Sequence, residues 1–434
     1  MRQDTRSRAS RASIETLYPF RIPSGTPPGF LFDREVEADE AVYLLKVFRL
    51  LRAWCQDAEV LHRSQGRSRL YTWRNAVEAY PLTEDLWYPL IALAEQLQEP
   101  AAADIHRLSL ACLAIADWAI SRGAPETALL FGETAAEVSA ANPRFAWVAG
   151  KLFRSQAKPR EAEYWLYRAV HVAAAIRDRR AHALGLNSLG NLFRQRGGFA
   201  LARRHLTRAL SLTKRYRLAD LEGEVLHDLS LLFTFMGDYQ EAERHAALAF
   251  ERYGPAHPNL PKLSHDIALI WADQGFFGRA LAVYTALLSH FHAPDERLRV
   301  IAITIRCAGA SGDSVTVERC WEEAWVLAGR PGSAEVRAST LLDMGRGAAA
   351  LGLWQRAEEA LHWARRAAVE RREHDISAAV EASLDLVRRE QTLDLKPRRP
   401  GERQDSERFA ARLVSGLARL HGQDVVPGEG DAPA

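Results

Sequence analysis

One block recurs along this chain at nearly constant spacing. Leu189-Gly190-x-x-Phe193-x-x-x-Gly197-x-x-x-x-Ala202-x-x-x-Leu206-x-x-Ala209 returns 40 residues later as Leu229-Ser230-x-x-Phe233-x-x-x-Gly237-x-x-x-x-Ala242-x-x-x-Ala246-x-x-Ala249. A looser third copy runs from Ile267-Ala268-x-x-Trp271 through Gly275 and Ala280 to Leu287. A fixed period of this length marks an array of small units that bury their apolar faces on one another. Such an array grows by adding units, so 434 residues need not mean several independent globular cores. It also points to a binding surface in preference to a catalyst.

The small residue of the second half of each unit sets the register. It falls at Ala128, Ala162, Ala202, Ala242, Ala280, Val317 and Ala357, at spacings of 34, 40, 40, 38, 37 and 40. Seven residues further on stand Ala135, Ala169, Ala209, Ala249, Leu287, Ala324 and Ala364. Five residues before each anchor stands Gly123, Ala157, Gly197, Gly237, Gly275, Gly312 or Gly352. This pattern predicts two antiparallel helices per unit, joined by a tight turn that needs a positive φ. Alanines at i and i+7 share a helix face and let the partner helix approach closely, while Phe153, Phe193, Phe233 or Trp271 fills the remaining space. The copy from Ile305 to Ala324 is the weakest, lacking both the aromatic and the small residue before it.

The regular array is expected over 104–373. Residues 1–35 read as a disordered arm, charged and Ser-rich, then rich in Pro and Gly. Residues 36–103 read as a helical section shielding the first unit, with Leu44, Leu45, Val47, Phe48, Leu51 and Trp54 at helical spacing and a second apolar stretch from Trp87 to Leu97. Ile376, Val380, Leu384 and Val387 predict a capping helix that extends the array to 392. Residues 393–434 read as a basic Pro-rich linker, a short amphipathic helix from Ser406 to His421, and a disordered tail. That last helix, with Phe409, Leu413, Val414, Leu417 and Leu420 on one side and Arg408, Arg412 and Arg419 beside them, suits docking against the array or a partner better than a membrane surface.

Composition narrows the setting. A net charge of +2 is too small for a protein that coats nucleic acid, and no apolar run reaches the 18 or so residues of a membrane helix. Cys55, Cys112, Cys307 and Cys320 form no CxxC pair or disulfide-like framework, and no apolar segment follows the Arg/Ser-rich N-terminus. These features lead to the expectation of a soluble, cytoplasmic protein with reduced cysteines.

The filled slots resemble the tetratricopeptide repeat family, in the longer-repeat form seen in kinesin light chains and bacterial peptide-sensing regulators. The Leu-Gly, aromatic, Gly, Ala, large and Ala slots are occupied; the first tryptophan and the closing proline are mostly not. The resemblance covers about 270 residues and implies an all-α, right-handed superhelical solenoid of antiparallel helix pairs. It further implies a groove lined by four slots of each first helix. Carried over residue by residue, those slots are Arg144, Trp147, Lys151 and Arg154; then Leu184, Asn187, Asn191 and Arg194; Glu224 and His227; Lys262 and His265; Arg299 and Arg306; and Arg346. Eight of the ionisable slots are Arg or Lys and one is Glu. One reading is that long arginines merely solvate an exposed face. The other is that clustered charge attracts an acidic peptide or helix.

The chaperone-tail clamp found in some members of the family is not retained. Aligned on Asn191, Asn187 stands where Lys is needed, Asp228 where Asn is needed and Asp266 where Arg is needed, while Lys262 is kept. No phosphate loop, His-Glu-x-x-His or Gly-x-Ser-x-Gly is present. The pairs His227-Asp228 and His265-Asp266 fall at one repeat slot and are ascribed to repeat inheritance, and His290-x-His292 to a loop; Trp321 and Trp325 are ascribed to the core. The expected function is a non-enzymatic, cofactor- and metal-free scaffold binding an acidic protein or peptide, with no nucleic acid and no membrane. The alternative is a regulator that changes shape when it binds a peptide or small molecule. The oligomeric state is left open.

Overall fold

The computed structural model describes residues 35–56, 82–98, 102–255, 257–330, 333, 336–391 and 404–424. The basic linker, the tail after residue 424 and all of the expected arm over 1–35 except Glu35 lie outside the described residues. Every regular element among the described residues is helical, and the chain separates into two compact units, Met1–Leu221 and Glu222–Ala434. The array expected as one run over 104–392 is therefore divided between them.

The first unit opens with α1 (Ala38–Gln56) and α2 (Glu84–Gln98). Three hairpins follow: α3 (Ile105–Ser121) with α4 (Pro125–Val138), α5 (Pro143–Ser155) with α6 (Pro159–Ala175), and α7 (Arg179–Gln195) with α8 (Phe199–Tyr216). The second unit takes most of α9 (Ala219–Phe235), then α10 (Tyr239–Tyr253), α11 (Leu260–Asp273) and α12 (Phe277–Leu287). It continues with α13 (Pro294–Ala310), α14 (Ser314–Ala328), α15 (Arg337–Ala350), α16 (Trp354–Arg371), α17 (His374–Arg388) and α18 (Gln404–Asp424).

Local chemistry sets the helix ends. Side chains of Asp104, Asn142, Asp178, Asp238 and Asp313 accept from backbone N–H groups of the first turn of α3, α5, α7, α10 and α14, satisfying donors that have no partner within the helix. Proline opens α4, α5, α6 and α13, where its missing N–H costs nothing. The seven turn positions read from the sequence all have positive φ, from 53° at Ala157 to 84° at Gly275. The anchors and their i+7 partners are all 0% exposed. At Gly190 an added Cβ would lie 2.5 Å from the Leu206 side chain, so the glycine is what brings α7 against α8.

The flanking helices behave as caps. In the first unit α1 packs on α4, with Phe48 edge-on to Phe131 at 6.0 Å, and α2 packs on α3. The Glu35 carboxylate accepts from the N–H groups of Glu126 and Thr127, closing the start of α4. In the second unit α17 adds Val380, Leu384 and Val387 to the core formed by α13 to α16. The weak repeat packs unusually: an added Cβ on Gly309 of α13 would lie 2.0 Å from the Gly347 carbonyl of α15. These two first helices thus meet backbone to backbone.

The helix α18 docks on its own unit. Phe409, Ala410, Leu413 and Leu417 are buried, and Phe409 stands edge-on to Phe250 and Trp271. Arg279, itself buried, donates to Glu407 at 2.8 Å, and His290 donates to the Leu417 carbonyl at 3.0 Å. The surface arginine Arg412 pairs with Glu251. His290 is thereby occupied in anchoring α18, and no group of three metal-ligating side chains occurs among the described residues.

Candidate partner-binding site

The first-helix slots behave differently in the two units. In the first unit, α5 and α7 pack side by side, and neither contains an acidic residue. Trp147 Nε1 donates to Ser188 Oγ at 2.8 Å, tying the two helices together. The Lys151 ammonium lies 4.4 Å from the Trp147 ring centroid, a cation–π contact that holds it above this platform. Arg144 and Lys151 are exposed, Arg154 and Arg194 are half-buried, and Asn187 is buried. Arg194 donates to Asn191 Oδ1 at 3.3 Å. Arg154 Nε is buried without a hydrogen-bond partner among the described residues. A buried N–H of a charged group is costly to leave unpaired.

In the second unit the equivalent slots are already occupied by carboxylates. His227 Nε2 meets Asp266 Oδ2 at 2.8 Å, so the histidine of one repeat pairs with the aspartate of the next. His265 stands edge-on to Tyr284 and Phe291; burial, partly offset by Asp266, keeps its imidazole below the usual histidine value. Arg306 of α13 lies between Asp273 of α11 at 3.0 Å and Asp343 of α15 at 3.1 Å. Burial works against its charge, but the two carboxylates outweigh burial and hold the guanidinium above its ordinary pKa. Arg346 continues the chain to Ser383 of α17 at 3.4 Å. Lys262 and Arg299 are exposed, and Glu224 is half-buried. Arg306 and Arg346 therefore serve cross-repeat ties, which the slot count alone does not reveal. The aspartates responsible lie just off the counted slots. The one signal in the sequence is the repeated His-Asp dipeptide, whose 38-residue offset pairs across repeats.

The remaining positive charge is concentrated. Between Pro143 and Arg217 stand 17 Arg and Lys against 3 Asp and Glu, a net of +14 in a chain whose total is +2. That segment runs from the start of α5 to the end of α8, all within the first unit.

Stacked antiparallel hairpins, sealed by small residues at each seam and presenting variable first helices, define a helical-repeat protein. The tetratricopeptide repeat family model matches residues 179–254, which span α7 to α10. No curated protein matches it in sequence. Among solved structures, a Rap protein complexed with competence and sporulation factor is similar at 14% identity and a TM-score of 0.40, over 81% of this chain and 98% of that one. Aspartyl phosphate phosphatase F from Bacillus subtilis is similar at 12% identity and a TM-score of 0.40, over 89% and 99%. The pilF protein of Pseudomonas aeruginosa is similar at 17% identity and a TM-score of 0.40, over 54% and 99%. At such scores nothing about their ligands transfers. No helix among the described residues is long and apolar enough to cross a membrane.

Proposed function

We propose that this protein is a non-catalytic protein–protein interaction scaffold, and that it holds an acidic peptide or helix of a partner along α5 and α7. The observation that carries this reading is a pair of adjacent first helices without a single carboxylate, joined by the Trp147–Ser188 hydrogen bond and bearing Arg144, Lys151, Arg154 and Arg194. Clustered positive charge speeds capture of an acidic segment, and arginine forks then select carboxylates in fixed orientation. The first-helix slots of the second unit, with their carboxylates, contribute rigidity in this reading and little affinity. A cytoplasmic setting accords with cysteines that form no disulfide framework in the sequence.

The test is titration of a Glu-rich, 12-residue peptide into the full chain at low and high salt. Affinity is expected to fall as salt rises, because the attraction is screened. Reversing charge at Arg154 and Arg194 together is expected to weaken binding at low salt by about tenfold or more and to flatten the salt dependence. Equal affinity in the double variant would overturn the reading.

A further inference from the structure

The outer face of α8 is a second charged surface, separate from the first-helix face. Phe199–Tyr216 contains Arg203, Arg204, Arg208, Lys214 and Arg215 and no acidic residue. Two other second helices pair charges within themselves: Arg244 with Glu241 at 2.6 Å on α10, and Arg366 with Glu370 at 3.1 Å on α16. Ala202, Leu206, Ala209 and Thr213 face inward and are buried. At 100° per residue the opposite side is then fixed. Arg204, Arg208 and Arg215 run along one edge of it, Arg203 and Lys214 along the other, and Ala200, Thr207 and Ser211 lie between.

The structure shows a shallow depression there, lined by Ala200, Arg203, Arg204, Thr207, Arg208 and Ser211, every one exposed. The floor is made of small side chains and the rims of arginines. Ser211 Oγ donates to the Thr207 carbonyl at 2.9 Å, so its hydroxyl folds onto the helix and keeps the floor low. The field is felt nearby. Burial, reinforced by Arg204 and Arg208, lowers the pKa of His205; burial, reinforced by Arg208 and Arg179, lowers that of His182.

We infer that the outer face of α8 is a docking surface for a phosphorylated segment of a partner protein. A phosphate carries close to two negative charges and three acceptor oxygens, which suit two guanidinium forks better than a single carboxylate does. Arg204 and Arg208 are one turn apart, about 6 Å along the axis. Phosphoserines two residues apart in an extended peptide are spaced by about 6.6 Å. A nucleic acid is the poorer fit, because the stripe offers no aromatic side chain on which bases could stack.

The experiment uses the full chain and fluorescence anisotropy with three probes: a 12-residue peptide bearing two phosphoserines two residues apart, its unphosphorylated twin, and single-stranded RNA of equal charge. The phosphorylated peptide is expected to bind at least about tenfold tighter than its twin and than the RNA. Arg204→Glu with Arg208→Glu is expected to remove that preference. Arg204→Lys with Arg208→Lys, which keeps charge but not the fork, is expected to reduce it partly. Arg154→Glu with Arg194→Glu is expected to leave it unchanged, which separates this surface from the site proposed on α5 and α7. Both substituted side chains on α8 face solvent, and circular dichroism verifies that each variant is folded. Equal binding of both peptides, survival of the preference in the double-glutamate variant, or tighter binding of the RNA would each overturn the inference.

Discussion

Ala157 holds the turn slot that glycine fills in the six other hairpins, and it does so at a φ of 53°. A left-handed conformation costs a residue with a Cβ roughly 1–2 kcal/mol, and glycine escapes most of that cost. The Ala157 side chain is exposed, so removing it sacrifices no packing. Ala157→Gly is expected to stabilise the first unit by about 1 kcal/mol in urea denaturation, the left-handed strain outweighing the added freedom of the unfolded chain. Glu133 on α4 is a second position under strain. Burial, together with the charge of Glu137, raises its pKa to about 7 against the opposing influence of Trp165 and Arg52. The folded state therefore binds a proton there that the unfolded state has already released between roughly pH 4.5 and 7. Stability is fully present below that window and falls as pH rises through it. Glu133→Gln is expected to flatten this slope and to raise stability at pH 8 by about 2 kcal/mol. Denaturation curves at pH 5 and pH 8 check it: an unchanged slope in the variant would assign the pH dependence elsewhere.

At the scale of the element, seven hairpins were legible because helix seams demand small side chains at fixed spacing, and only a few residues are small. The small anchors, the turns and the capping helix α17 all appear where periodicity places them. The weak copy was legible as weak, but the reason was not. There α13 and α15 approach through Gly309 and Gly347, a contact between elements 38 residues apart that no local pattern expresses. Because backbone atoms cannot move aside as a flexible side chain can, Gly309→Ala is expected to cost about 1–3 kcal/mol, or to push the two helices apart. Hydrogen exchange in α13 and α15 would register it, and protection equal to that of the parent chain would count against the close approach. The short last helix was legible as amphipathic. Its mate was visible only once Phe409 was found against Phe250 and Trp271, and Glu407 against the buried Arg279.

For the whole molecule, the slot residues show where sequence reasoning stops. Their identity followed from register, and eight basic slots against one acidic slot suggested a groove of one sign. Folding divides them. Arg144, Lys151, Arg154 and Arg194 lie on carboxylate-free helices, whereas Arg306 is held between Asp273 and Asp343, and Arg346 extends that chain to Ser383. A net charge of +2 likewise concealed a +14 segment, whose outer helix the slot count never included. The sequence by itself determined the repeat, its period and its seams, because packing small residues at i and i+7 is a local constraint written at every copy. Only the tertiary structure decided which arginines are held in ties between repeats and which stand on helices without a carboxylate. Ion pairing depends on distances between helices some 30–40 residues apart, and a carboxylate just off the counted slots, such as Asp266 beside His265, offsets the positive charge of a neighbouring repeat.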